Sequence, residues 1–403
     1  MQIYFRVTGK FEIKMSELKI TSVDVGLSAF KLPDLGLDPS GFSLIYEPGG
    51  EKTVKAFSVQ IHTNQGITGE FVGGDAVGFS QLKKFVDHVI GKDPLQRELI
   101  YNDAKRCLRK FDKMGIGMID IPLWDLAGKL YGCSVGELLG GYRTKLPTYA
   151  STMSGDRAGG LDSPEAFAAF AIQCKEIGYK GYKIHIWEDY SIPELVNTIS
   201  QVRDAVGDDF PLMIDPACKL RTFAEVLAIG QACDDAQYLW LEDAYRDSGV
   251  STTAHKMLRQ RFRTPLLQTE HVRGLEEHVN FIVAEGTDFV RADAEYDGGI
   301  TGAFKIAHAS EGFGLDVEIH GPHPAHRQLM SAIRNSNFYE MSLVHPKTPQ
   351  IGRCMDIYAD EYRDGLDCID KGGNVSVPNG PGMGVKYDWD FIKKHQISFE
   401  SFK

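Results

Sequence analysis

PLMID (211–215), YLWLE (238–242) and PLLQTE (265–270) are three short apolar runs, each closed by a carboxylate: Asp215, Glu242 and Glu270. The carboxylates fall 27 and 28 residues apart. That interval holds one strand, one helix and two short loops. The runs therefore read as successive parallel strands with their acids side by side at one rim, where catalytic groups of such folds gather. Acids crowded together raise each other's pKa unless a cation lies between them. A hard divalent ion such as Mg²⁺ takes oxygen ligands and meets that need. A single carboxylate at a strand end is ordinarily just solvated; three in phase with a strand–helix repeat are not.

Working outward, the repeat extends on both sides. Strand-like runs read LPTYASTM (146–153), YKIHIW (182–187), PLMIDP (211–216), YLWLED (238–243), PLLQTE (265–270), DFVRAD (288–293), DVEIH (316–320) and NFYEM (337–341). Segments with helical spacing lie between them, such as PEAFAAFAIQCKEIG, whose Ser163-Pro164 start reads as an N-cap followed by proline at the first helical position. Eight strands alternating with helices predict a parallel α/β barrel of the TIM type rather than an open doubly wound sheet.

Residues 1–145 read as a separate α+β domain. MQIYFRVTGKFEIK alternates like a strand, and VKAFSVQIHTNQGITGEFVGG reads as a hairpin turning near Asn64–Gly66. Helices are expected near 79–91, 95–111 and 114–132, and MGIGMIDIPLWDLAGKLYG, apolar on most faces, should be buried. The Pro- and Gly-rich segment 30–52 is too long for an idle connection and is expected to be a lid or binding loop. Residues 146–345 form the barrel. Residues 346–403, with the glycine-rich GGNVSVPNGPGMG (372–384), return to the first domain. No GxxxxGK[ST] pattern marks that loop as a phosphate cradle.

Net charge is −11 and no basic block occurs, which argues against nucleic acid and anionic membranes as partners. Seven scattered cysteines without a CxxC pair fit a reducing, cytoplasmic setting better than a disulfide framework. No signal-like or membrane-spanning apolar run is present.

Two further features complete a site. Lys183 and His185 lie two apart on one strand and so share a face. Asp293 and His320 end neighbouring strands, and a carboxylate beside an imidazole fixes its tautomer and steadies its cation, making an acid/base dyad. With these residues the chain resembles the enolase superfamily, in its mandelate racemase subgroup. The resemblance spans nearly the whole chain and includes DIPLWDLAGKLYGCSVGELLGG, YKIH, DAEYDGGITG and EIHGPH. It implies a modified (β/α)7β barrel under an N-terminal capping domain whose loops near 30–50 and 70–78 close over substrate. It also implies one Mg²⁺ per subunit on Asp215, Glu242 and Glu270, the Asp293/His320 dyad, a strand-eight Glu340, and assembly as a dimer or octamer. The subgroup's second strand usually offers Lys-x-Lys, but here it is Lys183-Ile184-His185, so either His185 or Lys183 is the base. An Asn frequent two residues after the first ligand is replaced by Ala217.

The chemistry implied is abstraction of the α-proton of a small anionic carboxylate, through an ene-diolate held by Mg²⁺ and opposed by a Lys or His base. Lys183 would bind the second carboxylate oxygen, and Glu340 would donate a proton or hydrogen bond if neighbouring carboxylates raise its pKa. If His320 protonates a departing β-hydroxyl, the product is a 2-keto-3-deoxy acid. If it returns a proton to carbon, the outcome is racemisation or epimerisation. If it protonates a leaving ring oxygen, the outcome is lactone cycloisomerisation. A polar lining of His185, His320, His323, Asp34, Asp38 and Ser40 favours dehydration of an aldonate or aldarate. Trp187 and His323 are expected to touch substrate, Phe42 and Tyr245 are further aromatic candidates, and His271 adjoins a ligand. A non-catalytic metal-binding barrel and a Schiff-base aldolase on Lys183 are the competing readings.

Overall fold

The computed structural model describes residues 17–348 and 357–403; the strand expected at 1–14 lies outside them. The capping domain opens with β1 (Ile20–Leu37), β2 (Leu44–Thr63) and β3 (Thr68–Gly73). The barrel strands follow: β4 (Lys145–Ser154), β5 (Tyr182–His185), β6 (Leu212–Asp215), β7 (Trp240–Glu242), β8 (Leu266–Gln268), β9 (Phe289–Ala292), β10 (Asp316–Ile319) and β11 (Tyr339–Val344). Two strands close the chain, β12 (Asn374–Ser376) and β13 (Gln396–Phe402).

Segment 30–52 is not a loop. β1 and β2 pair antiparallel from Ile20/Thr63 out to Leu37/Leu44, with two irregularities, one between Ile20 and Ser22 and one between Pro33 and Leu35. Proline gives no N–H to a ladder and is accommodated where the pairing is interrupted. Leu32 and Leu35 are buried and pack with Met153 of β4, so this hairpin is anchored on the barrel, and its tip spans 38–43. The β2–β3 hairpin turns where expected. Of the three helices expected in this domain, the first is broken into Ala76–Leu82 and Val86–Val89, while Arg97–Cys107 and Gly117–Tyr131 lie close to the predicted places. β13 pairs antiparallel with β1, so one four-stranded sheet is ordered β13-β1-β2-β3.

Seven helices alternate with β4 to β11, giving (β/α)7β. The parallel ladder runs from β11 through β4 and on in sequence order to β10. Ser163 caps the first barrel helix, Pro164–Ile177, by accepting from Ala166 N, as its sequence predicts. Inside the barrel, Tyr149, Met213, Trp240 and Leu267 form a buried cluster. Met213 and Trp240 precede Asp215 and Glu242 by two residues and share their face, so this plug is the floor on which the rim acids stand.

The helix Gly117–Tyr131 clamps cap to barrel, and its burial follows from polar side chains that are all tied down. Buried Asp120 accepts from Thr301 N at 2.9 Å, and buried Asp125 accepts from Glu70 N at 2.9 Å and Met383 N at 2.8 Å. Gly299 has φ +81°, and a Cβ there would come within 2.1 Å of Asp120. The GG of DAEYDGGITG is therefore a close-approach requirement.

Candidate active site

The three acids lie at one rim, with Asp215 and Glu242 ending β6 and β7 and Glu270 two residues beyond β8. The backbone around them leaves the ordinary regions. Ala217, Cys218, Asp243 and Thr269 have φ of +49°, +59°, +36° and +91°. Non-glycine residues in this region are uncommon and gather where a fold holds functional groups in place.

Lys183 and His185 both point into the rim, but into different surroundings. Lys183 is 1% exposed. Its Nζ lies 2.7 Å from Glu242 Oε2, 2.8 Å from Glu340 Oε1 and 3.5 Å from Asp215 Oδ2. Burial disfavours its charge, yet Glu242 and Glu340 outweigh burial and hold its pKa well above the usual lysine value. His185 is nearer the opening. Its Nδ1 faces the Thr152 carbonyl at 2.7 Å, which only accepts, so Nδ1 carries a proton; its Nε2 faces Asp215 Oδ2 at 3.1 Å. Burial works against the Asp215 anion, but His185, Lys183 and the Ala217 N–H keep it below the usual carboxylate range.

The dyad forms on the other side. His320 Nδ1 is 2.8 Å from Asp293 Oδ2, and its Nε2 lies 3.5 Å from Glu270 Oε1. Buried His326, whose Nε2 is 3.2 Å from Asp293 Oδ1, adds a second imidazole to the same carboxylate. Asp293 is held well below its ordinary pKa: burial raises it, and His326 and His320 more than compensate. Against burial, His320, His271 and Arg291 likewise hold Glu270 low.

Arg291 on β9 is a site residue that the sequence reading missed. It is fully buried, with Nη2 2.9 Å from Glu242 Oε1, 2.7 Å from Glu340 Oε2 and 3.2 Å from Tyr149 Oη. A signal was present: it precedes Asp293 by two residues inside DFVRAD, so it shares the inward face and needs an anion. Arg291 also corrects the role given to Glu340. With Lys183 on one oxygen and Arg291 and Gly321 N on the other, Glu340 is held well below the usual carboxylate range despite its burial. It accepts hydrogen bonds and does not donate a proton.

Other expectations need correction. Trp187 is 1% exposed, donates through Nε1 to Leu161 O at 2.7 Å and packs edge-on to Phe167, so it belongs to the core. His323 caps the helix Pro324–Met330: Nδ1 accepts from Ala325 N at 3.1 Å and Nε2 reaches Val72 O at 3.2 Å, leaving neither nitrogen for substrate. Asp34 accepts from Gly49 N at 2.8 Å, across its own hairpin. Asp38 organises the hairpin tip, accepting from Ser40 Oγ at 2.6 Å and Phe42 N at 3.1 Å. Asp38 Oδ2 faces Lys219 Nζ, in the loop after β6, at 3.4 Å. Phe42 is 89% exposed, and Tyr245 packs on the core.

The residues present fit a hard divalent cation. Among the described residues, Asp215, Glu242, Glu270 and Glu340 face two permanent cations, Lys183 and Arg291. Burial, with Asp215 and Glu340 nearby, pushes the Glu242 carboxyl up to about 8 even with Arg291 and Lys183 in contact. Its Oε1 lies close to Arg291 but out of line with any N–H, and makes no hydrogen bond. An oxygen-seeking ion on Asp215, Glu242 and Glu270 would supply the missing charge.

Known proteins carry the same organisation. Residues 166–391 match a family model described as enolase C-terminal domain-like, and residues 49–140 match that of the mandelate racemase / muconate lactonizing enzyme N-terminal domain. The crystal structure of D-glucarate dehydratase from Agrobacterium tumefaciens complexed with magnesium superposes with a TM-score of 0.86 at 29% identity, covering 95% of this chain and 100% of that one. L-Talarate/galactarate dehydratase of Salmonella typhimurium is 27% identical over 269 residues, a match spanning 64% of this chain and 64% of the relative. D-Galactarolactone cycloisomerase of Agrobacterium fabrum is 25% identical over 358 residues, 84% of this chain and 90% of the relative. No helix among the described residues is long and apolar enough to cross a membrane.

Proposed function

This chain belongs to the mandelate racemase/muconate lactonizing enzyme family, and on that premise we propose that it is a Mg²⁺-dependent acid-sugar dehydratase, converting an aldonate or aldarate to a 2-keto-3-deoxy acid. The observation that carries this reading is the pair of imidazoles flanking the carboxylate row. His185 and His320 each commit Nδ1 to an acceptor and turn Nε2 toward the first and third acid, Asp215 and Glu270. Each is thus fixed in a tautomer that exchanges protons at Nε2.

Asp215, Glu242 and Glu270 would hold Mg²⁺, which would supply Lewis acidity toward the substrate carboxylate. The remaining work falls to the protein. Lys183, held protonated between Glu242 and Glu340, is a cation rather than a base, and supplies charge for the second carboxylate oxygen as negative charge develops. His185 Nε2 removes the α-proton, and Asp215 beside it steadies the imidazolium. His320 Nε2 delivers a proton to the departing β-hydroxyl, with Asp293 holding the ring. The enol so formed becomes the keto acid. Arg291 braces Glu242 and Glu340 from behind. The hairpin tip at 38–43, touching Lys219 through Asp38, is the part of the cap placed to close over substrate.

Likeness to the galactarolactone cycloisomerase supports a second reading, in which His320 protonates a leaving ring oxygen instead. Screening acid sugars and their lactones for 2-keto acid formation tests the proposal. Keto acid from an open-chain acid is the expected result. Turnover of lactones alone selects the second reading, and full turnover after exhaustive chelation refutes both.

A further inference from the structure

The three loops that follow the acid-bearing strands carry a second set of donors. Cys218 follows β6, Asp243 follows Glu242, and His271 follows Glu270. Among the described residues these are the one group of three such side chains whose donor atoms, one each from sulfur, oxygen and nitrogen, all lie within 4.8 Å of one another. The mechanism above uses none of them.

One atom of this group lacks what a buried atom needs. Asp243 is 1% exposed; its Oδ2 lies 2.9 Å from His271 Nε2, but its Oδ1 has no hydrogen-bond partner. A buried carboxylate oxygen with no donor is unfavourable, and such atoms in folded proteins ordinarily have an unseen partner. The space beside it is kept open by a glycine. A Cβ on Gly249, at φ +67°, would come within 2.6 Å of Asp243 Oδ1 and 3.3 Å of His271 Cδ2. The Cys218 N–H also donates to the Asp243 carbonyl at 2.6 Å, so two of the three donors already sit on joined backbones. His271 is the exposed member and gives an ion a way in.

We propose that Cys218, Asp243 and His271 form a second metal site, selective for a borderline first-row cation of the Zn²⁺ class. Thiolate and imidazole donors discriminate against Mg²⁺, which takes oxygen, whereas the neighbouring acids offer oxygen only. Three protein donors leave the fourth tetrahedral position to water. Binding costs the Cys218 thiol proton and the proton that His271 shares with Asp243, both of which go to solvent, and involves no change of oxidation state. Donors around a tetrahedral ion with bonds of about 2.0–2.3 Å stand roughly 3.3–3.8 Å apart, so the group needs only a small adjustment in which the contact between His271 and Asp243 opens. An ion there staples together the loops that hold Asp215, Glu242 and Glu270.

The test uses Co²⁺ as a coloured probe, added to chelator-stripped full-length protein in saturating Mg²⁺. The expected result is one equivalent bound, with a thiolate-to-cobalt charge-transfer band in the near ultraviolet and tetrahedral visible bands. Cys218→Ser should lose the charge-transfer band, His271→Gln should weaken binding, and Glu242→Gln should leave the band intact. Circular dichroism checks the fold of each variant. If Cys218→Ser fails to fold, His271→Gln, at an exposed position, decides alone. No band in the wild type, a band that survives both Cys218→Ser and His271→Gln, or a band lost in Glu242→Gln would each overturn the proposal.

Discussion

Replacing Arg291 by Met tests the electrostatics of the rim most directly. The guanidinium is fully buried and contacts Glu242 and Glu340, which share one further cation, Lys183. Met roughly preserves the packing volume but removes the charge, leaving two buried carboxylates to one lysine. Breaking a buried pair from one side costs about 3–5 kcal/mol, because the partner's desolvation is no longer offset. The expected loss in unfolding free energy in chelator is therefore about 3–5 kcal/mol. Glu340→Gln in the Arg291→Met background should recover part of it, with a coupling of about 1–3 kcal/mol. Urea unfolding followed by tryptophan fluorescence suits the question, since Trp240 Nε1 lies 3.3 Å from Glu242 Oε2 and reports on the site itself. Arg291→Met within about 0.5 kcal/mol of wild type, the range of an uninvolved surface change, would refute the claim that Arg291 neutralises the rim.

Three further outcomes are expected. His320→Asn should stop keto acid formation yet keep α-proton exchange in D₂O, whereas His185→Asn should stop both; NMR of the substrate distinguishes them, and exchange surviving in His185→Asn removes it as the base. Asp156 is held down to about 2 from 3.8 against burial by His345 and the N–H groups of Leu161, Gly160 and Ala158. A depressed folded pKa gives stability that is present above the unfolded value and lost as pH falls through the folded one, so the stability advantage of wild type over Asp156→Asn should be full at pH 7 and fade between about pH 4 and 2. A gap independent of pH would contradict this. Chymotrypsin should nick after exposed Phe42, and a saturating acid-sugar ligand should slow the cut if the hairpin tip closes; an unchanged rate counts against closure.

Periodicity carried much of this site. Asp215, Glu242 and Glu270 were legible because a strand–helix unit has a nearly fixed length, and Lys183 with His185 because a strand has period two. What stayed hidden depends on contacts between distant strands. Arg291 acquires its role from Glu340, 49 residues away, and only once the barrel brings their strand ends together. Trp187 and His323 sit beside motif residues, yet their directions are set by Leu161 and Val72, which nothing nearby in sequence announces. The segment 30–52 misled through composition: its Pro and Gly suggested a loop, while Phe30 and Leu32 keep the alternation of a strand and the irregularity between Pro33 and Leu35 returns Leu35 to Leu32's side, where both rest on Met153.

The pairing of β13 with β1 has a consequence for biosynthesis. β1 leaves the ribosome before any barrel strand, while its partner β13 emerges only after all eight. Until then one edge of the β1–β2–β3 sheet offers unpaired N–H and C=O groups from Val23 to Ser28. An open edge recruits other strands, including those of neighbouring nascent chains. The barrel has every strand it needs earlier, so the vulnerable interval belongs to the cap alone. Shortening the chain by its last strand would prolong that interval indefinitely, giving a protein with a sound barrel that nevertheless self-associates through its N-terminal sheet.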